Sequence, residues 1–198
     1  LWSIGLRASA AEEEKTTVQP PHPEWIVGDS RNLATLCPDA QPDLIFTCPP
    51  YYDLEVYSDN ASDLSTLATY EQFMTDYRAI FHQSITQLKN NRFACVVVGD
   101  IRDKRGFYRN FVSDTISACE DAGAKLYNEA ILITQVGSLP IRVGKQFTSS
   151  RKLGKTHQNV LVFCKGDPVK AVKDCGPVVV EVPDGEEIDD EEDEVVNV

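Results

Sequence analysis

The chain has 198 residues, 42% of them hydrophobic and 25% charged, the composition of a folded domain with a sizeable core rather than of a disordered or fibrous chain. Its formal charge of −12 belongs to one end: ten acids and no bases occur from Glu181 onward, leaving 21 acids against 19 bases in the first 180 residues. No apolar run approaches the ~20 residues of a membrane span, the histidines are isolated from one another, and six cysteines form no Cys-x-x-Cys pair, which argues against a membrane protein, a structural metal site and a disulfide framework.

In chain order, the strand candidates are 1–6 ("LWSIGL"), 24–29 ("EWIVGD"), 43–48 ("DLIFTC"), 93–100 ("FACVVVGD"), 125–136 ("KLYNEAILITQV") and 159–166 ("NVLVFCKG"). Most are continuously apolar rather than alternating, which predicts strands covered on both faces. A proline-rich connector separates the first two, and 30–36 reads as a short helix. The stretch 69–90 places Phe73, Tyr77, Ile80, Phe81, Ile85 and Leu88 at helical spacing, and 107–124 repeats the pattern with Phe111, Ile116 and Cys119 before a stop at Gly123. Strands alternating with helices predict an α/β fold with a mostly parallel sheet. The last two strands are joined by 136–157, which shows no clear helical pattern, so they are expected to form an antiparallel pair at one edge. Beyond residue 175 a short strand at 178–182 is expected, then an acidic, disordered tail. The organisation read from sequence is thus a domain over 1–175 and a tail over 176–198.

Chemistry concentrates where strands end. In open parallel sheets, ligands bind beyond the carboxyl ends of the strands. Three runs finish in polar or unusual residues: "VGDSRN", "FTCPPYY" and "VVGDIRD". The middle one is the most specific. Pro49 and Pro50 cannot continue a ladder and force the chain out of the sheet along a rigid path, presenting carbonyl acceptors and an aromatic face at a fixed position. A flipped base needs those two things, acceptors for its exocyclic amine and a stacking partner.

The segment Cys48-Pro49-Pro50-Tyr51 resembles the Asp/Asn/Ser-Pro-Pro-Tyr motif of S-adenosylmethionine-dependent DNA amino-methyltransferases acting on N6 of adenine or N4 of cytosine. "EWIVGDSRNL" and "KTHQNVLVFCKGD" resemble segments that flank the motif in that family, and "FTCPPYYDLEVYSD" resembles its phage and bacterial DNA methylases, including those of restriction-modification systems. The resemblance covers roughly residues 1–170. It implies a Rossmann-like class I methyltransferase fold, S-adenosylmethionine as cofactor, DNA as partner and the cytoplasm of a bacterium or phage-infected host. Carried over by position, the catalytic residues are Cys48, Pro49, Pro50 and Tyr51: the carbonyls of Cys48 and Pro49 accept from the amine, and Tyr51 stacks on the base. Asp29, Ser30, Thr47 and Cys48 are the cofactor-binding residues, with Asp29 approaching the cofactor's adenine. Tyr52 is assigned to nucleic-acid contact at the mouth of the site.

The sequence departs from the family pattern in two places. The motif's leading polar residue is Cys48, whose sulfur is a weak acceptor. The family's glycine-rich cofactor loop has no counterpart, since no Gly-x-Gly occurs. The chain begins with Leu1 and its sole methionine is Met74, so the expectation is a fold recorded without its N-terminal cofactor-loop strand.

Charge placement supplies the nucleic-acid reading. Between Glu129 and Asp167 there are no acids but six bases, most of them in 136–157: Arg142, Lys145, Arg151, Lys152 and Lys155. A basic loop rich in Gly, Ser and Thr suits phosphate contacts. Two other readings remain open: a non-catalytic methyltransferase-like module that binds nucleic acid or a partner subunit, and an RNA rather than DNA methyltransferase. Metal is not expected, and oligomeric state is not legible.

Overall fold

The computed structural model describes residues 23–133 and 139–177, with only the backbone over 139–142. These residues form essentially the unit Glu24–Cys175; a second unit, Leu1–Pro23 with Gly176–Val198, is almost wholly outside them. The expected strands at 1–6 and 178–182 and the acidic tail therefore lie outside the described residues.

Four strands, β1 (Leu44–Thr47), β2 (Arg92–Val98), β3 (Lys125–Ile133) and β4 (His157–Lys165), form one sheet in the order β1-β2-β4-β3. β1 and β2 are parallel, with Thr47 opposite Val96. β4 runs antiparallel between β2 and β3, with Val98 opposite Asn159. Three strands thus point one way and β4 the other, which gives the expected antiparallel pair at one edge. α2 (Tyr70–Gln87) and α3 (Phe111–Asp121) pack on one face. α2 starts where Thr69 accepts from Gln72 N, and the four-residue spacing of Phe73, Tyr77, Phe81 and Ile85 turns one stripe inward. That stripe meets Ala94, Val96 and Val98 of β2 and Leu161 and Phe163 of β4, all fully buried.

Several expectations need correction. Residues 24–29 are not a strand: Trp25, Ile26 and Val27 are 73%, 51% and 96% exposed and no strand pairs with them among the described residues. An extended run becomes a strand only where a neighbour takes its hydrogen bonds. Double burial fails for β1 and β3, because Leu44 and Phe46 are more than half exposed and every residue of β3 is exposed. The stretch read as a loop holds a helix, α4 (Leu139–Ser150), with Pro140 in its first turn, where a fixed φ and a missing N–H are tolerated. Gly144 and β-branched Val143 and Thr148 hide its helical signal. The helix read from 107 starts at Phe111, because Asn110 is left-handed at φ 59. A last helix, α5 (Pro168–Cys175), has no counterpart among the expected elements; Asp167 Oδ1 caps it by accepting from Val169 N and Lys170 N. The short helix at 30–36 is a 3-10 turn (Ser30–Asn32) continuing into α1 (Leu33–Leu36).

Candidate functional site

The strand directions bring three segments to one end of the sheet. β1 ends at Thr47 and β2 at Val98, while antiparallel β4 begins there with His157. Residues 48–51, 99–102 and 155–158 therefore meet, as the strand-end argument predicts for two of its three runs.

The Pro-Pro segment leaves β1 and turns sharply at Tyr52, whose φ is 55. This left-handed turn sends consecutive tyrosines in opposite directions. Tyr51 stays half-buried beside the cleft, its ring edge-on to Phe111 at 5.6 Å, and its hydroxyl accepts from Gln158 Nε2 at 2.7 Å. Burial pushes the Tyr51 phenol above its usual pKa, so it stays neutral. Tyr52 corrects the expectation of a residue at the mouth of the site. It is only 6% exposed, packs on Tyr70 and Phe73 at 5.6 and 5.5 Å, and donates to Ala68 O. A bulky residue held at positive φ costs on the order of 1–3 kcal/mol and persists only where its surroundings overdetermine it. Here a buried ring and a buried hydroxyl partner do so.

Arg109 adds a second clamp. Its guanidinium lies 5.0 Å from the rings of both Tyr52 and Tyr70 and 3.9 Å from the Asp53 carboxylate. Tyr70 in turn donates to Asp114 at 2.7 Å, and burial together with that carboxylate drives its pKa well up. The loop after the motif is thus fixed to α2 and α3 on one side and to β4 on the other.

Among the described residues, three hollows flank the motif. One, of about 270 Å³, is lined by Ser30, Thr47, Cys48, Pro49, Pro50 and Tyr77. A second, wider cleft of about 530 Å³ is lined by Tyr51, Asp100, Arg102, Tyr108, Lys155 and Gln158, and a third, of about 260 Å³, joins Cys48 and Pro49 to Tyr51, Glu55, Tyr57 and Gln158. The predicted residues Ser30, Thr47, Cys48, Pro49 and Pro50 therefore come together, and Tyr51 joins Lys155. Asp29 lies elsewhere: it caps the 3-10 turn and forms a 2.7 Å ion pair with Arg31, which reaches across to Asp76. These bonds hold the Asp29 carboxyl below its usual range. Asp29 lines a separate surface hollow with Ser58 and Asp63.

The basic residues divide as well. Lys155 Nζ and Tyr51 Cε2 each lie 3.8 Å from where a Cβ on Gly99 would sit. Lys152 lies over the turn at Gly106. Lys145 is exposed on α4, and Arg151 folds back on Phe147 at 5.4 Å. The side chain of Arg142 lies outside the described residues. Sequence reading misses Gln158, for which neighbouring residues give no signal; Arg109 is legible only as one of the bases in 100–111 beside Phe107 and Tyr108, and its place against Tyr52 and Tyr70 depends on the left-handed Asn110. Asp100 is legible only as part of a strand end; one of its oxygens accepts from Val112 N at the start of α3. Among the described residues no cluster of His, Cys, Asp or Glu suits a metal ion, and no helix is long and apolar enough to cross a membrane.

No protein-family model matches the chain. No curated protein matches it. Among solved structures it is similar to a candidate DNA modification methylase from Thermus thermophilus, at 19% identity and a TM-score of 0.52 over 71% of this chain and 51% of that one. The same methylase complexed with S-adenosyl-L-methionine gives 19% identity and a TM-score of 0.52 over 71% and 54%. M1.HpyAVI in its SAM complex gives 11% identity and a TM-score of 0.46 over 81% and 57%, too slight a likeness to build on. The chain spans about half the length of the Thermus methylase. What the likeness shows is the fold alone: the described α/β sheet and helices match part of that methylase's fold.

Proposed function

We propose that this chain is the base-holding portion of an S-adenosylmethionine-dependent DNA methyltransferase acting on the exocyclic amine of adenine (N6) or cytosine (N4). The observation that carries the reading is the exit of Pro49-Pro50-Tyr51 from the carboxyl end of β1, with Tyr51 held by Gln158 and Phe111 beside a hollow that it lines together with Cys48 and Pro49. The likeness in fold to a candidate DNA modification methylase supports it.

In this reading a base leaves the duplex and lies against Tyr51, whose neutral ring is held in place before the base arrives. The amine donates its N–H groups to the backbone carbonyls of Cys48 and Pro49. Those acceptors draw the nitrogen away from planarity and raise the availability of its lone pair. The prolines supply the rigidity, since neither can shift φ to relax the contact. No strong base is required, because the proton released after transfer can pass to water. Cys48 contributes chiefly through its carbonyl.

Ser30, Thr47 and Cys48 would hold the cofactor. Their hollow of about 270 Å³ is slightly below the ~300–1,000 Å³ typical of a whole small-molecule site, so these residues fit one end of it. When bound, S-adenosylmethionine supplies a methyl group on a positively charged sulfur, which leaves with the bonding electron pair. Asp29 acts in this account by fixing the turn that presents Ser30.

A second reading, a methyltransferase-like module without catalysis, is favoured by the lack of any Gly-x-Gly in the sequence. Calorimetric titration with S-adenosylmethionine separates the two. Micromolar binding supports the enzyme, and no heat up to millimolar concentration eliminates it for this chain. Parallel assays on DNA and RNA identify the polymer.

A further inference from the structure

Residues 100–109 form a tight hairpin beside the cleft. Arg102 and Tyr108 pair as an antiparallel bridge, Arg109 N donates to Ile101 O at 3.0 Å, and Asp103 N donates to Phe107 O at 2.8 Å. The turn is pinned by Gly106 at φ 96, by Gly106 N donating to Asp103 O, and by Phe107 N donating to the Asp103 carboxylate at 2.9 Å. Asp103 is thereby spent inside the turn. Arg102 is spent partly likewise, donating to Gly106 O at 2.8 Å while lying 3.8 Å over the Tyr108 ring.

What the hairpin leaves outward is its chemistry. Lys104 and Arg105 form the tip and are exposed; Phe107, just after the turn, is 63% exposed, with the Arg105 guanidinium 5.2 Å from its ring. Lys152, arriving from the segment after α4, lies so close over the turn that a Cβ on Gly106 would meet its Cε at 2.9 Å. The hairpin's inner side, Arg102 and Tyr108, lines the same cleft as Tyr51. A rigid loop thus carries an exposed aromatic ring beside a cationic tip, at the rim of the site proposed to receive a base. An exposed Phe among cations is poorly matched to a neutral protein surface but well matched to duplex DNA, whose phosphates take the cations and whose base stack takes the ring.

We propose that this hairpin opens duplex DNA: Lys104, Arg105 and Lys152 grip phosphates next to the target nucleotide, and Phe107 enters the stack as that nucleotide leaves it. The proposal rests on the base-holding reading of the cleft. Extruding a base costs a few kcal/mol, and an inserted ring recovers part of that loss.

The test measures binding of the full chain to a fluorescein-labelled duplex of about 30 base pairs, roughly three helical turns, either perfect or carrying a central mismatch, with no cofactor present. A mismatch removes much of the opening cost, so the wild type should bind the mismatched duplex several-fold to about a hundredfold more tightly, the range expected for ~1–3 kcal/mol of stacking. Phe107→Ala should reduce that preference to within about twofold. Lys104→Ala with Arg105→Ala should weaken both duplexes equally and lower the slope of log K against log salt by about two. Equal wild-type affinity for the two duplexes, or an undiminished preference in Phe107→Ala, overturns the proposal, as does tighter binding to duplex RNA. Methyl transfer to DNA by the wild type, measured in parallel, separates the two failures: transfer without a Phe107-dependent preference removes the hairpin's role alone, and loss of all DNA binding removes both.

Discussion

Tyr51 is the residue on which the base-holding account can be tested most sharply, by comparing Tyr51→Ala with Tyr51→Phe. An aromatic side chain stacked on a base is worth about 1–3 kcal/mol by alanine substitution, so Tyr51→Ala should lower kcat/KM for methyl transfer to DNA about 5- to 150-fold. Tyr51→Phe keeps the ring and loses only the bond accepted from Gln158 Nε2, a net ~0.5–1.5 kcal/mol, hence at most about tenfold. Neither change should unfold the chain. The edge contact between Tyr51 and Phe111 is worth about 0.5–1.5 kcal/mol, a small part of the ~5–15 kcal/mol that holds a typical domain. The assay is tritiated-methyl transfer to unmethylated genomic DNA, with urea melts on each variant. The reasoning fails if Tyr51→Ala transfers methyl within about twofold of wild type while its melt is unchanged. It also fails if Tyr51→Phe is as impaired as Tyr51→Ala, since the hydroxyl and not the ring would then be the functional part.

Other consequences follow from the same geometry. Cys48→Ala should keep at least about a tenth of wild-type transfer, because the amine is assigned to backbone carbonyls; complete loss with an intact melt would make the thiol essential. Lys152→Ala with Lys155→Ala should lower the salt slope of DNA affinity by about two, and an unchanged slope would take both off the interface. Phe111 is fully buried and touches Tyr51, Phe73 and Tyr77, so Phe111→Ala should cost about 3–5 kcal/mol in urea unfolding; a loss under about 1 kcal/mol contradicts the packing described. Burial raises the Cys119 thiol from 9.0 to about 12 and pushes the Tyr77 phenol well above 10.0. Both groups release protons more readily when unfolded, so stability is fully present below about pH 9 and falls as pH rises. Cys119 alone should remove on the order of 1.4 kcal/mol per pH unit between 9 and about 12. Cys119→Ala melts should show a shallower alkaline decline, and an identical decline contradicts its burial.

The sequence is readable where a residue's own chemistry decides its conformation. Pro49 and Pro50 end a ladder wherever they stand, so the exit from β1 can be read directly, as can α2 from the four-residue rhythm of Phe73, Tyr77, Phe81 and Ile85. It is unreadable where a distant partner or a single backbone angle decides. Residues 24–29 have the apolar run of a strand, but a strand also requires a neighbour, which composition does not reveal. Which tyrosine faces the cleft depends on φ at Tyr52, a non-glycine residue that gives no hint of adopting 55. The 100–109 hairpin is obscured because Phe107 and Tyr108 continue the apolar spacing of α3, and only Gly106 and the left-handed Asn110 break it. Gln158 and Arg109 become visible only once β4 and α3 are placed beside the motif.

The central claim is that this chain holds a base amine for methylation, and nucleoside analysis tests it most directly. Unmethylated DNA is incubated with the full chain and S-adenosylmethionine, digested to nucleosides and separated by chromatography with mass detection. The account predicts N6-methyldeoxyadenosine or N4-methyldeoxycytidine in the wild-type digest and, at equal enzyme and time, about 5- to 150-fold less of it in the Tyr51→Ala digest. Methyl groups found only on carbon-5 of cytosine, or none on DNA although the chain binds S-adenosylmethionine, would contradict it.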